Sequence, residues 1–489
     1  MRTSIGPLAG RAGHEPAWRV VLALLPAAML ACVLARPVWD VDVFWQLRLG
    51  ELILARGGPV FTEPFSALHL GAPMTTISWL GQAIMAGVRR AGGWNLLRVF
   101  DALCWLGGFW AVAAACRTRG ASAMAVSLAL LVAFLPACHA ASIRPQSFAA
   151  LCFGLLLALE RLRWRPAATI ACGMVLMVLW QNLHPSVSVG ALAMGCVAAS
   201  GWIGHLRKRA APPWAASVLA LFGGLAMFLT PDGAGILEVS ARNAETSMAI
   251  GASEWLPLWA QGNLGHALPI AVAALFVAGL AWHRRARIAP AEAMVVLALF
   301  ALTLVAYRFV LFWAIALVPP VARLLSAPAG EGEGHRAVRA VGVWSALVPL
   351  ALVAAATPVV LPLRFADTLP IAAVDRLAHE GVRGTVYGDF PFGGLIIDRG
   401  YPAWKVAYDG RYYRYSRDEW RYNGGIENGL VPLVDVVRKW RPAAFVLDRH
   451  HNAPLARELA RSRAWRRIHD DGRFVVYVPR VPGRFTRPA

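Results

Sequence analysis

Residues 121–138, ASAMAVSLALLVAFLPAC, form an uninterrupted apolar stretch without a charged side chain. A stretch of this length crosses the ~30 Å hydrocarbon core of a bilayer as a helix. Similar stretches recur along the chain, and the predicted spans are centred near residues 26, 104, 130, 152, 174, 196, 222, 274, 298, 315 and 350. The sequence therefore predicts a polytopic α-helical membrane protein with about eleven transmembrane helices.

The composition of the 489 residues supports this class. Hydrophobic residues make up 58% and charged residues 16% of the chain, against roughly 25% charged residues in an average soluble protein. A soluble globule cannot bury so much apolar surface, which excludes an ordinary cytosolic protein and a disordered one. The net charge of +20 comes mainly from arginines in short loops between apolar stretches. We therefore expect contacts with membrane lipids and no nucleic-acid partner.

The arginines also predict the topology, because they fall in alternate loops. One set of loops is rich in Arg and covers residues 117–119, 160–165, 205–209, 283–287 and the stretch that ends at Arg339. The other set is poor in basic residues and covers residues 40–42, 139–145, 181–185, 231–233 and 307–308. The positive-inside rule places the first set in the cytoplasm. The N-terminus is then cytoplasmic, and the second set and the tail after about residue 363 face outward.

The first outer loop, residues 37–93, has two amphipathic segments, 41–56 and 77–88, that predict helices lying at the membrane interface. Asp40 and Asp42 stand where the first span leaves the bilayer. A partly desolvated carboxylate at that position has a raised pKa and accepts a proton more readily. A second carboxylate nearby can hold a divalent cation. A helix cap or a solvated turn explains the same pair without any chemistry.

The composition changes to charged and β-rich residues from about Arg364. Short runs predict strands at 385–389, 395–398, 405–408, 443–447 and 474–478, with helices near 370–380, 431–440 and 454–462. Asp471-Gly472 predicts a hairpin turn, and Asp409 and Arg411 are spaced to pair across a turn. We expect a membrane domain of residues 1–363 and a C-terminal extracytoplasmic α/β domain of residues 364–489.

The stretch DVDVFWQLRLGE at residues 40–51, followed by TEPFS at 62–66 and SWL at 78–80, resembles the first outer loop of bacterial GT-C membrane glycosyltransferases. This group includes protein O-mannosyltransferase-like and aminoarabinose-transferase-like enzymes. Glu63 stands where Asp is usual, and Gln46 replaces the expected His. Weaker matches are RPQ at 144–146, WQNLH at 180–184, YRF at 307–309, FGG at 392–394 and DGR at 409–411.

The resemblance implies a GT-C-like fold in a bacterial cytoplasmic (inner) membrane. It also implies inverting transfer of a sugar from a polyprenyl-phosphate donor to a glycan, lipid or protein acceptor on the outer face. One carboxylate takes the acceptor proton, and positive charge meets the departing phosphate. Asp40 is the predicted base, and Asp42 is predicted to orient it or to bind a divalent cation, Mg or Mn. The predicted substrate-binding residues are Arg144, Arg308, Asn182, His184 and Glu63.

Each assignment has a plainer alternative. Arg144 and Arg308 begin apolar helices and can simply reach lipid headgroups, and His184-Pro185 can end a helix. Trp255 and Trp259, in the outer loop after the seventh span, can stack on sugar or anchor the chain at the interface.

Two other functions also remain open. A transporter or flippase of a lipid-linked glycan predicts polar residues deep in several spans and internal repeats, which the sequence does not display. A non-catalytic scaffold with an outer binding domain predicts that Asp40→Asn has no effect.

Overall fold

The structure is a computed structural model that describes residues 15–326 and 341–481. The predicted basic stretch ending at Arg339 lies outside the described residues. The chain forms two compact units, which are described separately. The helical unit comprises Met1–Arg36, Gly92–Thr230 and Ala252–Leu363, and the α/β unit comprises Pro37–Ala91, Pro231–Gly251 and Arg364–Ala489. The division into domains 1–363 and 364–489 stays a prediction.

The α-helices of the described residues are, in chain order, α1 (Glu15–Leu34), α2 (Asp42–Arg56), α3 (Trp79–Thr118), α4 (Ala123–Ala137), α5 (Gln146–Leu162), α6 (Pro166–Leu183), α7 (Val187–Leu206), α8 (Trp214–Ala226), α9 (Gly235–Ala249), α10 (Leu264–His283), α11 (Pro290–Val305), α12 (Val310–Leu325), α13 (Val341–Val360), α14 (Ile371–His379), α15 (Gly393–Gly400), α16 (Arg417–Glu427), α17 (Leu433–Trp440) and α18 (Ala453–Arg461).

All eleven predicted span centres lie inside helices of the helical unit. Seven segments of the described residues are long and apolar enough to cross a membrane: Pro16–Leu34, Trp79–Thr118, Ala123–Ala140, Pro166–Leu183, Val187–Leu206, Gln261–His283 and Tyr307–Leu325. Three further apolar helical segments, Trp214–Ala226, Pro290–Val305 and Ser345–Val360, are shorter. The apolar pattern therefore predicted the positions of these helices correctly, but several of the helices are shorter than a full membrane span.

The helical unit is packed through small residues and buried aromatic side chains. Trp105, Trp180 and Trp313 are completely buried. Helices α3 and α5 approach so closely that a Cβ on Gly108 would lie 2.1 Å from the Ala150 carbonyl oxygen. Such small-residue contacts are typical of membrane helices, whose association depends on close packing because lipid supplies no hydrophobic driving force.

Two of the loops predicted to be cytoplasmic lie near the end of α12. Arg161 and Arg323 lie 2.6 and 2.8 Å from the same carboxylate oxygen of Glu292. Arg284 donates a hydrogen bond to the Leu324 carbonyl at 2.9 Å. Residues 160–165 and 283–287 thus lie on the same end of the unit, while the alternation of the other loops and the side of the membrane stay predictions.

Helix α3 is interrupted at Gly92 and Gly93, where the sequence predicted the end of the second amphipathic segment. Gly93 has φ 63° and ψ −159°, a conformation that is open to glycine because it has no Cβ.

The α/β unit is built around a five-stranded sheet. Its strands are β1 (Gly384–Gly388), β2 (Trp404–Val406), β3 (Ala444–Asp448), β4 (Trp465–Asp470) and β5 (Phe474–Pro479). Their order is β2-β1-β3-β5-β4, with β2, β1 and β3 parallel and the remaining pairs antiparallel. The predicted turn at Asp471-Gly472 joins β4 and β5, and the Asp471 amide donates to the Phe474 carbonyl at 3.3 Å.

One strand assignment was wrong, and one strand was missed. Residues 395–398 belong to helix α15, and β4 was not predicted. Leu395, Ile396 and Ile397 are all buried, so the run is apolar on every side, and a short run of this kind has no periodicity that separates helix from strand.

The first outer loop belongs to the α/β unit. Helix α2 lies where an amphipathic helix was predicted, and most of its apolar residues are buried inside the unit, while Leu54 is exposed. A Cβ on Gly50 of α2 would lie 2.1 Å from the Gln82 carbonyl oxygen of α3. The Val406 amide of β2 donates to the Phe65 carbonyl at 2.9 Å, so the loop extends the edge of the sheet.

Candidate active site

The two aspartates of the first outer loop adjoin the start of α2. Asp40 is buried, and its Oδ1 accepts a hydrogen bond from the Asp42 amide at 2.9 Å. Asp42 is the first residue of the helix, and its Oδ1 accepts a hydrogen bond from Trp45 Nε1 at 3.0 Å. Asp40 therefore satisfies one of the free amides of the helix start, and Trp45 fixes the orientation of Asp42.

Both glycine motifs of the tail pack against this pair. A Cβ on Gly410 would lie 2.2 Å from Asp42 Oδ1. A Cβ on Gly394 would lie 2.5 Å from the Val41 carbonyl oxygen and 3.4 Å from Trp45 Cδ1. The absence of a side chain at these two positions is what allows α15 and the chain after β2 to approach the acidic segment.

Arg411 joins the first outer loop to the tail through two buried carboxylates. Its Nη1 and Nη2 donate to the two oxygens of Glu63 at 2.7 and 2.9 Å. Its Nε and Nη2 donate to the two oxygens of Asp409 at 2.9 and 2.7 Å. The predicted Asp409–Arg411 pair is confirmed. Bidentate pairing of this kind suits the planar guanidinium and fixes its orientation.

Glu63 also organises its own turn. Its Oε1 accepts hydrogen bonds from the amides of Phe65 and Ser66 at 2.8 and 2.9 Å. Burial raises the pKa of Glu63, but the charge of Arg411 and these hydrogen bonds lower it overall below the usual glutamate value. Glu63 thus has a structural role before Pro-Phe-Ser, because it holds this turn. A contact of Glu63 with substrate stays a prediction.

Three residues predicted at outer span ends lie together at one end of the helical unit, around the loop residues Glu254 and Trp255. Arg144, just before α5, donates to Glu254 Oε2 at 3.1 Å. Arg308, at the start of α12, lies with its guanidinium carbon 3.9 Å from the centre of the Trp255 ring. Burial and the positive charges of Arg308 and Arg144 lower the pKa of His184, just after α6, to about 3.

His184 is consequently neutral at physiological pH, and Ser186 holds its Nδ1 atom. Ser186 Oγ accepts a hydrogen bond from Trp180 Nε1 at 3.0 Å and lies 2.9 Å from His184 Nδ1. The serine hydroxyl can accept from or donate to Nδ1, so the contact fits both neutral tautomers. The tautomer that carries its hydrogen on Nε2 can donate one hydrogen bond to an anionic group without adding a charge.

The fold of the chain is similar to that of two solved structures. The crystal structure of ArnT from Cupriavidus metallidurans bound to undecaprenyl phosphate is similar with a TM-score of 0.53 and 16% identity, over 98% of this chain and 100% of that chain. The apo-state structure of the same protein gives a TM-score of 0.54 and 16% identity, over 97% of this chain and 99% of that chain. The chain has a GT-C fold. No protein-family model matches the sequence, and no curated protein matches it.

The GT-C fold, together with the apolar helices, makes this a membrane-embedded protein. The similarity covers residues of both units.

Asn182 and Gln181 tie α6 to the chain after α8. Asn182 Nδ2 donates to the carbonyls of Val178 and Leu229 at 3.0 and 2.8 Å, and Gln181 Nε2 donates to the Met227 carbonyl at 3.1 Å. A substrate contact of Asn182 stays a prediction.

Glu254 and Asn263 are residues of this GT-C fold that the sequence reasoning missed. Asn263 is completely buried, and its Nδ2 donates to the carbonyls of Ser253, Leu256 and Pro257 at 2.8, 3.1 and 3.1 Å. It thereby fixes the segment that carries Glu254. The one available signal was an acid beside Trp255 in an outer loop, and nothing in the sequence placed that loop near Arg144 or Arg308.

The predicted divalent cation finds little support among these side chains. In residues 15–326 and 341–481 there is no group of three or more His, Cys, Asp or Glu side chains that could hold a metal ion. An ion that keeps most of its water needs only one or two carboxylates, and Asp42 is the residue to which the prediction assigned it.

Proposed function

We propose that this protein transfers a sugar from a polyprenyl-phosphate donor to an acceptor hydroxyl on the outer face of a bacterial cytoplasmic membrane. The observation that carries the proposal is the group of Arg144, Arg308 and His184 in a chain with a GT-C fold. It supports a phosphate site, because guanidinium groups match phosphate oxygens. The ArnT protein with this fold has been crystallised with undecaprenyl phosphate.

The reaction breaks the bond between the anomeric carbon and the donor phosphate oxygen and forms a bond from that carbon to the acceptor oxygen, with inversion. The electron pair of the broken bond stays on the phosphate, which leaves as polyprenyl phosphate. Asp40 takes the acceptor proton as the base, and Asp42, held by Trp45, orients Asp40. Arg144 and Arg308 stabilise the charge that develops on the leaving phosphate, and His184 donates a hydrogen bond to it.

A divalent cation at Asp42 belongs to the proposal as a secondary element, and no step above depends on it. Transfer by protein that has been treated with EDTA and then desalted gives a direct answer. Loss of transfer that returns with Mg²⁺ or Mn²⁺ supports the cation, and full transfer without metal removes it from the proposal.

The experiment that tests the function compares a deletion strain with strains that express the wild type, Asp40→Asn or Asp42→Asn. We expect both substitutions to abolish a glycolipid or surface-glycan product at normal expression, as the deletion does. Glu238→Gln is the matched control, because this acid is 74% exposed and pairs with Arg242 on the same helix.

The same strains separate the alternatives. A scaffold predicts that both aspartate variants keep the wild-type glycan profile. A flippase predicts that the deletion loses the glycan, while purified protein transfers no sugar to any acceptor when it is given the lipid-linked donor. An unchanged profile in the deletion strain and both aspartate variants would rule out the proposed catalysis.

A further inference from the structure

We propose that Glu254 adjusts the charge of the donor-phosphate site, so that the site binds the more highly charged phosphomonoester product less tightly than the two arginines alone would and releases it faster. This inference rests on the proposed function and deepens it. It assigns a role to a residue that neither the motifs nor the fold singles out. The ion pair of Glu254 with Arg144, next to Arg308 over the Trp255 ring, carries it.

The first step is the charge balance of the group. Arg144 and Arg308 each contribute one positive charge, and Glu254 contributes one negative charge. Burial raises the pKa of Glu254, but the charges of Arg144 and Arg308 and hydrogen bonds from Arg144 and Trp255 lower it overall below the usual value. His184 is neutral, because burial and the two arginines lower its pKa to about 3. The group therefore has a net charge of about +1 near neutral pH.

The second step is the charge of the ligand. A sugar–phosphate–polyprenyl donor is a phosphodiester with one negative charge. Its product, polyprenyl phosphate, is a phosphomonoester whose second pKa is about 6, and it carries close to two negative charges at neutral pH. Two arginines alone would attract the doubly charged product about twice as strongly as the singly charged donor in Coulomb energy, and Glu254 reduces this preference for the product.

The third step is the fixed position of Glu254. Asn263 holds the carbonyls of Ser253, Leu256 and Pro257. The Tyr307 amide, beside Arg308, donates to the Leu256 carbonyl at 3.2 Å. The same segment is tied to both its own loop and the start of α12, so the backbone that carries Glu254 is held beside the arginines.

The fourth step is access. The Glu254 side chain is 36% exposed and that of Arg144 is 18% exposed, so the pair lies at a surface that a ligand can reach. A salt bridge with only a structural role would stabilise the loop to the same extent with a singly charged and with a doubly charged ligand. Only a role in charge matching makes the effect of Glu254 depend on the number of charges on the phosphate.

The experiment measures lipid binding to full-length protein in nanodiscs, wild type and Glu254→Gln. The probes are undecaprenyl phosphate and its methyl phosphodiester. Coulomb energy is proportional to ligand charge, so the logarithm of the gain in affinity should be about twice as large for the monoester. If Glu254→Gln tightens the diester about threefold, it should tighten the monoester about ninefold. Slower product release should lower kcat.

Three outcomes of this measurement are distinguishable. A larger gain for the monoester supports the inference. Equal changes for the two probes, or weaker binding of both, overturn it while the proposed function stands. No binding of either probe by the wild-type protein contradicts the proposed function itself. Glu238→Gln again serves as the control that changes the net charge without touching the site, and it should alter neither affinity.

A measurement on the wild type keeps the inference testable if Glu254→Gln does not fold. Between pH 5 and pH 8 the monoester gains its second charge, while Glu254 stays ionised and Arg144, Arg308 and His184 keep their charge states. The affinity for the monoester relative to the diester should rise less than about fivefold over this range. A larger rise would show that the site is matched to two negative charges and would overturn the inference.

Discussion

Arg411 is a buried guanidinium whose two carboxylate partners come from distant parts of the sequence. Glu63 lies in the first outer loop and Asp409 after β2, and all three side chains are completely buried. Buried ions lose their hydration, so each member of the group depends on the others for its charge balance. The motifs around residues 63 and 409 are therefore understood better as one structural unit than as two separate binding motifs.

Arg411→Met should destabilise the α/β unit by about 3–5 kcal/mol at neutral pH, because Glu63 and Asp409 lose their shared counter-ion. The folded-state pKa of Glu63 is lowered, so its contribution to stability is present above its unfolded pKa of about 4.3 and is lost as the pH falls through the folded value. Thermal unfolding of the full chain in detergent at pH 7 measures the loss. Arg417→Met removes a guanidinium that is 64% exposed and should change little; a similar loss in both variants would contradict the prediction.

Gly410→Ala should lower kcat far more than it changes stability. The new Cβ would lie 2.2 Å from Asp42 Oδ1, so the carboxylate must leave the position in which Trp45 holds it. Misplacement by about 1 Å can cost on the order of 100-fold in rate. The control is Gly424→Ala in α16, where a Cβ meets nothing within 4 Å and should stabilise the helix by about 0.5–1 kcal/mol. Equal rates for Gly410→Ala and the wild type would exclude a positioning role.

At the scale of elements, the carboxyl ends of the parallel strands β1 and β3 are joined by buried polar groups. Asp389 follows β1, and its Oδ2 accepts from the Asp448 amide at 3.0 Å, while its Oδ1 accepts from Asn452 Nδ2. His451, just after β3, lies 3.2 Å from Glu427 of α16. The ends of β1 and β3 and helix α16 are therefore linked through titratable side chains.

The stability of the α/β unit should fall as the pH rises from 7 to 9. A hydrogen bond to Glu427 raises the pKa of His451 to about 9, so its stabilising contribution is complete below about pH 6.5 and is lost as the pH rises through 9. Burial raises the pKa of Asp389 to about 7, so ionisation of this acid in the folded state costs stability mainly between about pH 4 and pH 7, below this window. Thermal unfolding between pH 7 and pH 9 measures the fall, and His451→Gln should remove most of it. A rise in stability over this range would contradict the assignment to His451.

At the scale of the whole molecule, one chain supplies an arginine cluster from its helical unit and an acidic pair from its α/β unit. Both groups belong to loops that the arginine pattern predicts to face outward. The arrangement of charges between loops is thus the property on which the orientation of the chain depends.

A cysteine at position 418 should react with a membrane-impermeant maleimide in intact spheroplasts, and a cysteine at position 207 should not. The side chain of Asp418 is 86% exposed in the α/β unit, and Arg207 is an exposed residue of a loop predicted to be cytoplasmic. The seven native cysteines are first replaced by Ala or Ser. Labelling of the second site alone would invert the topology and remove the proposed outer-face reaction.

The sequence by itself determined the membrane class and the helix positions, and its motifs named Arg144, Arg308 and His184 as candidates. Apolar length and short motifs are local properties, which can be recognised without knowledge of packing. The tertiary structure decided that the first outer loop packs with the tail, that Glu63 pairs with Arg411 and that Glu254 pairs with Arg144. These contacts join residues that are far apart in the chain, and no local pattern encodes which distant carboxylate a buried guanidinium will meet.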